Sequence, residues 1–386
     1  MKKYIISTFI AMSILFTAVK PVSAQTDKPN EEVPPAMYGF LSHILELQPM
    51  LYSREEFSSD KNQKFVSRHL QDVVDLSQEL KKHKRLQTPG FKVPADIIVK
   101  ELHDVNDAYK NGHRDFAWRS LRSTLHKCSQ CHTQVSQVRP KLLWTFDQKN
   151  LPTDPMEQGD FWFMIRYYEN AFAQFSKVVS SYGKTHNDQF KLKKALKYIM
   201  TICLRIDQSP DKAMNYLEKL PNQKVFPKYL SDEIRVWKNE LLVLTTLPPI
   251  NPRTIAPKEM EKYVDDLLRS IYPIPREGRS KDIASRYASG LLFDFANHRS
   301  KEVTQRMYFW LGVSSQELDK FEVTSFGDPY LKDCIEKFPP NPISEECYIA
   351  LEDDWIFGYS GSAGTFLPQS NKNELQRLKT IIEKKK

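Results

Sequence analysis

His113-Arg114-Asp115-Phe116-Ala117-Trp118-Arg119-Ser120-Leu121-Arg122-Ser123-Thr124-Leu125-His126-Lys127-Cys128-Ser129-Gln130-Cys131-His132 carries both an architectural and a chemical signal. It reads as a helix that begins near His113, runs through Phe116, Leu121 and Leu125, and ends in Cys-x-x-Cys-His. Two thiols three residues apart can form thioethers to the two vinyl groups of one haem. The histidine directly after them is then placed to ligate the iron from the proximal face. A Cys-x-x-Cys pair can also be a redox disulfide or half of a zinc site. The zinc reading lacks a second ligand pair, because Cys203, Cys334 and Cys347 are scattered. A thioredoxin-like reading wants a βαβ context, and these surroundings read as helical. The expectation is one covalent haem c on Cys128 and Cys131, with His132 on the iron.

Three more helices precede this one. The first runs from about Pro35 to Tyr52, with Met37, Phe40, Leu41, Ile44, Leu45 and Leu51 at three- and four-residue intervals. After the polar break Ser58–Asn62, a second carries Phe65, Val66, Leu70, Val73, Leu76 and Leu80 and closes on the basic run Lys81–Arg85. Thr88-Pro89-Gly90 interrupts the pattern. A third spans about Pro94 to Lys110, with Ile97, Ile98, Leu102, Val105 and Tyr109 on its apolar face, and stops at Asn111-Gly112. Short connections between long helices favour antiparallel neighbours, so an up-down four-helix bundle is predicted over residues 25–150.

An attachment motif on the last helix of such a bundle resembles the class II c-type cytochromes, the cytochrome c-prime family. The resemblance covers roughly residues 34–141, from helix order and from the segment Asn111–Ala117 through Cys128-Ser129-Gln130-Cys131-His132. The family places an aromatic and an arginine shortly after the haem histidine. Here Thr133-Gln134-Val135-Ser136 intervenes before Arg139. The carry-over is confined to Cys128, Cys131 and His132.

In an antiparallel bundle the start of helix one lies beside the end of helix four, which directs the search for a distal ligand to Met37 or His43. The resemblance implies a methionine there in electron carriers and a non-coordinating apolar residue in high-spin, gas-binding members. Met37 shares the inward face with Phe40, Leu41 and Ile44, so ligation and plain core packing both suit it. His43 lies about 120° around the helix from Met37, and an exposed surface histidine is the alternative to ligation. Met50 is farther along and weaker. His126 should point away from His132, and His69, His83, His103 and His113, set among charged residues, read as solvated.

Leu151-Pro152-Thr153-Asp154-Pro155 reads as a seam, followed over 151–386 by a second helical domain. Helices are predicted over Asp160–Ser181, Phe190–Ile206, Ser209–Leu220, Tyr229–Leu244, Lys258–Ile271, Ser280–Asn297 and Lys301–Leu311. The stretch Tyr308-Phe309-Trp310-Leu311-Gly312, with Tyr330-Leu331 and Phe338-Pro339, resembles one divergent tetratricopeptide repeat. The chain is therefore expected to be all-α, a haem-carrying bundle followed by repeat-like stacked hairpins, whose concave surfaces suit protein docking. Cys334 and Cys347, thirteen apart, are a plausible disulfide in an oxidising compartment, and Cys203 reads as a buried free thiol. Gly358–Gly364 lacks the strand and lysine of a phosphate loop and reads as a turn. Glu352-Asp353-Asp354 reads as facing solvent.

Met1-Lys2-Lys3, the apolar run Tyr4–Val19 and the small residues of Val22-Ser23-Ala24 read as a cleaved export signal over residues 1–24, with an uncleaved anchor as the alternative. Cleavage would take the formal charge from +8 to +5 by removing Lys2, Lys3 and Lys20. That excess is small and interspersed, which argues against nucleic acid as a partner. No later segment is long and apolar enough for a stable membrane span. Together these features predict a bacterial periplasmic monohaem cytochrome that passes electrons to a redox partner protein docked by the C-terminal half. The alternative is a haem-based gas binder or sensor with five-coordinate iron. No acid–base pair is evident near the motif, so an enzyme is the less favoured class.

Overall fold

The computed structural model describes residues 35–133, 151–185, 187–220, 223–269, 282–319, 326–362 and 364–383. The predicted signal, Arg139, His186, Ser280 and the Lys384–Lys386 tail lie outside the described residues. From Pro34 on the chain is one compact unit, and it is all-α. Among the described residues none of the helices is long and apolar enough to cross a membrane.

The first group of helices is α1 (Pro35–Leu51), the single turn α2 (Arg54–Ser58), α3 (Gln63–Lys81), α4 (Pro89–Lys110) and α5 (Arg114–His132). Thr88-Pro89-Gly90 does not break the pattern as expected but starts α4: Pro89 sits at the first helical position, where its missing N–H costs no hydrogen bond. Pro94 follows inside the first turns of the same helix. Gly112, at a φ of 84°, closes α4 and turns the chain into α5. In chain order α1 packs on α3, α3 on α4 and α4 on α5. Ile44, Leu47, Leu70, Val73, Leu102, Val105, Ala117 and Leu121 form their shared core. The stripe on α5 is Ala117, Leu121 and Leu125, with Cys128 next along it. Phe116, expected on that face, is 60% exposed.

The second group comprises α6 (Pro155–Met164), α7 (Tyr168–Ser181), α8 (Gln189–Thr201), α9 (Pro210–Glu218), α10 (Lys228–Thr246), α11 (Pro257–Leu268), α12 (Asp282–His298), α13 (Gln305–Asp319), α14 (Gly327–Glu336), α15 (Pro342–Gly358) and α16 (Gln369–Glu383). A two-residue hairpin, Ser360–Gly361 against Gly364–Thr365, joins the last two, with Gly364 at a φ of 106°. Polar caps set many of the starts. Asp154, Asp188, Ser209 and Asn341 each accept from a backbone N–H of the turn they open. The one long aromatic helix expected over Asp160–Ser181 is two: Arg166 adopts a φ of 68°, and the Tyr167 N–H donates back to Trp162. A helix cannot continue through a left-handed residue, so α6 ends at Met164.

α13 and α14 approach closely. A Cβ on Gly312 would lie 2.6 Å from Leu331, and one on Gly327 would lie 2.6 Å from the Gly312 carbonyl. The Tyr308 and Phe338 rings meet edge to face at 5.6 Å. Cys334 on α14 and Cys347 on α15 are joined by a disulfide, and Cys203 is buried and free. Glu352, Asp353 and Asp354 are half-buried rather than fully exposed.

The two groups are packed together by identifiable side chains. Val93 of α4 belongs to the core of the second group, and Leu41, Leu45 and Ile97 pack against it. The Tyr330 hydroxyl, fully buried on α14, donates to the Gly90 carbonyl at 3.1 Å.

α8 runs into a π-helical turn at Ile202–Ile206 that places Arg205 against α12. A Cβ on Gly290 of α12 would lie 2.6 Å from the Arg205 carbonyl oxygen and 2.9 Å from its Cα. Backbone cannot step aside as a flexible side chain can. Gly290→Ala is therefore expected to cost about 1–3 kcal/mol by overpacking. Gly358→Ala, where nothing lies within 4 Å, should change stability by less than about 0.5 kcal/mol. Urea unfolding midpoints of the two variants check this, and equal midpoints would refute the close contact.

Candidate functional site

The last turn of α5 brings Cys128, Cys131 and His132 together. All three are half-buried, and neither thiol is in a disulfide. Their surroundings come from the second group. The Met164 carbonyl, at the C-terminal end of α6, lies in hydrogen-bond contact with Nδ1 of His132. The Tyr168 hydroxyl donates to the His132 carbonyl at 2.7 Å. Arg166 adds positive charge near the imidazole, and Arg205 does so near Cys131.

The helix break explains why these groups are available. The last four carbonyls of a helix have no intrahelical donor, so ending α6 at Met164 leaves its oxygen for another partner. The same reversal starts α7 at Tyr168, which puts the phenol over the end of α5. Nδ1–H donating to a backbone carbonyl fixes the imidazole tautomer and leaves Nε2 as the lone-pair nitrogen. Histidines that ligate metals are held in this way.

Burial governs the titration of the whole turn. It pushes the Cys128 thiol up to about 12 and raises Cys131 further, with Cys128 adding to the shift. Thiols of that kind are not the low-pKa nucleophiles that disulfide oxidoreductases need. A thioether sulfur carries no charge and loses nothing by burial there. Burial also lowers His132 to about 4, with Arg166 contributing, so its ring is neutral at pH 7 as an iron ligand must be. The residues present thus fit covalent haem: two uncharged sulfurs and an oriented, neutral imidazole on one turn.

The distal candidates on α1 differ in their surroundings. Met37 is half-buried and packs against the first core, as Cys128 does. Met50 packs against the same core. His43 is not a solvated surface histidine: its Nδ1 lies 2.9 Å from Nδ1 of His69 and 3.7 Å from the Asp72 carboxylate, between α1 and α3. His69 is likewise held in this cluster instead of in solvent.

Acid–base groups do gather near the motif, contrary to expectation. Tyr52, Arg122, His126, Glu157 and Asp160 line a cavity of about 50 Å³ that Met164 also borders. That volume holds a water or two and no porphyrin. Burial raises Tyr52, with Glu157 and Asp160 adding to it, and burial raises Glu157 against the opposing Arg122. Burial lowers His126 to about 4, although Asp160 at 3.9 Å opposes the shift.

Met164, Tyr168 and His69 carry no sequence signal tying them to the motif or to His43, because each contact spans more than twenty residues. Comparison of the chain with protein-family models, curated proteins and solved structures returned no match.

The lowered histidines give a pH dependence with a definite sign. A base whose folded pKa lies below its unfolded value of about 6.5 binds fewer protons in the native state. Its contribution is full above pH 6.5 and is lost as pH falls toward about 4. Stability should therefore drop between pH 6.5 and 4, and His126→Gln should flatten that slope. The effect is moderated by the 35% exposure of the His126 side chain. Denaturant titrations at pH 4.5, 6 and 8 measure it, and an unchanged slope in the variant would exclude His126 as a source.

Proposed function

We propose that the chain is an exported monohaem c-type cytochrome working in electron transfer, with one haem c held by Cys128 and Cys131 and with His132 as proximal ligand. The observation that carries this reading is the single turn of α5 on which two uncharged, half-buried thiols adjoin an imidazole held by the Met164 carbonyl. When bound, haem supplies reversible one-electron chemistry at iron. The protein's part is to orient and to tune. The Met164 carbonyl and the Tyr168 hydroxyl fix the His132 ring and its backbone, and Arg166 and Arg205 supply positive charge that favours an added electron.

On this reading α1, α3, α4 and α5 are the haem-carrying bundle, resembling the class II cytochromes. The second group is the docking module for a periplasmic redox partner. Its close α13–α14 hairpin, with Gly312 against Leu331 and Tyr308 against Phe338, supports a tetratricopeptide-like unit. Exposed Phe190, Leu242, Val243, Phe357 and Phe366 give this group apolar surface for a partner. Met37 is the proposed distal ligand, since it packs on the same core as Cys128.

Expression with haem-maturation machinery tests the reading. The purified protein should keep a peroxidase-active haem on denaturing gels, and the Cys128→Ala/Cys131→Ala variant should lose it. A wild-type band without haem would overturn the proposal. The reduced protein should be six-coordinate and low-spin, and Met37→Ala should change its spectrum and potential. Five-coordinate, high-spin iron that takes up carbon monoxide would replace electron transfer with gas binding.

A further inference from the structure

His43 and His69 face each other at hydrogen-bond distance across the seam between α1 and α3. With both Nδ1 atoms 2.9 Å apart, one ring donates and the other accepts, so the accepting ring is neutral. Asp72 lies one turn after His69 on α3, on the same face, and its carboxylate is 3.7 Å from His43 Nδ1. One ligand atom from each of the three residues falls within 4.8 Å of the other two. All three side chains are half-buried, which leaves a path for an ion and room for water.

We propose that His43, His69 and Asp72 form a divalent transition-metal site that clips α1 to α3, with water completing the coordination. Two imidazoles and one carboxylate form a borderline donor set that suits zinc and its neighbours better than calcium or magnesium. Tetrahedral zinc with bonds of about 2.0–2.1 Å separates its donor atoms by about 3.3 Å. The 2.9 and 3.7 Å distances from His43 Nδ1 bracket that value, and the three donor atoms all lie within 4.8 Å of one another.

The neighbouring charges favour a cation on balance. Exposed Glu46, one turn after His43 on α1, and Asp72 both act on His69 as anions, and the opposing charges are those of Arg68 and of His43, itself a donor of the cluster. Arg68 is itself 3.8 Å from Asp72 and 79% exposed, so the ion displaces only a weak surface pair. Burial and the facing His43 lower the His69 pKa, which lessens proton competition for its lone pair. Phe65 packs on the His69 ring at 4.3 Å and limits its rotation.

The site shares no residue with the proposed haem ligands Cys128, Cys131, His132 and Met37, and zinc distinguishes the two. Untagged, chelator-treated full-length protein titrated with zinc chloride by calorimetry should bind one equivalent through this cluster. His69→Gln should weaken that event at least tenfold, as should Asp72→Asn, while circular dichroism shows unchanged helix content. Zinc held instead by unmodified Cys128, Cys131 and His132 would survive His69→Gln. Zinc should also raise the melting temperature of the wild type and leave that of His69→Gln unchanged. Absence of binding at 100 μM zinc (a concentration about tenfold above a weak micromolar site), or binding that neither variant affects, would overturn the proposal.

Discussion

The contact between the His132 imidazole and the Met164 carbonyl is the constraint on which the arrangement of the motif depends. It joins the end of α5 to the end of α6, and each end needs the other. His132 needs an acceptor to set its tautomer, and a terminal carbonyl of α6 needs a donor. The Met164 side chain packs against both hydrophobic cores, so the residue that orients the histidine also lies where the two groups of helices meet. Any displacement of one group against the other is then felt at His132. Tyr168, two residues past the Arg166 reversal, adds a second tie at the His132 carbonyl.

The electrostatics of this region follow from burial more than from pairing. Thiols rise, imidazoles fall and Tyr52 and Glu157 rise, all of which favour the neutral forms. The permanent charges at the motif are the guanidinium groups of Arg166 and Arg205. Arg205 is 5% exposed and stacks over Phe293 at 4.6 Å. In a buried site such fixed charges act with little screening by solvent, and Asp207 acts alongside them at Tyr168. That gives the second helical group a say in the energetics of the motif beyond any role in docking.

Much of this was legible in the sequence, and the gaps have physical causes. The helices from α1 to α5 follow three- and four-residue apolar spacing, and Cys128 continues the stripe of Ala117, Leu121 and Leu125. Phe116 misled because an aromatic inside a helical pattern looks like core whichever way it points. The division of α6 from α7 was hidden because apolar residues run through the break and the reversal uses Arg166, not glycine or proline. Pro89 reads in sequence as a breaker, whereas in the fold it is a starter. In sequence His43 reads as exposed from its angle to Met37 and His69 reads as solvated from its charged neighbours, yet each is shielded by the other, twenty-six residues away. The disulfide partners, thirteen apart on successive helices, are close enough in sequence for the pairing to be expected.

The pairing of His43 also bears on the proposed haem site. An imidazole committed to His69 and Asp72 faces the α1–α3 seam, and recruiting it for haem would break that cluster and leave Asp72 to Arg68 alone. Met37 has no such commitment; it is half-buried, apolar and packed against the core that Cys128 also touches. The two donor sets differ in kind as well. Two sulfurs and one imidazole without a carboxylate suit covalent porphyrin and a soft environment, whereas two imidazoles with a carboxylate near solvent suit a hydrated divalent ion. Of the three candidates on α1, Met37, His43 and Met50, only the histidine is engaged by neighbouring polar groups, so the sixth ligand of the proposed haem would come from a methionine.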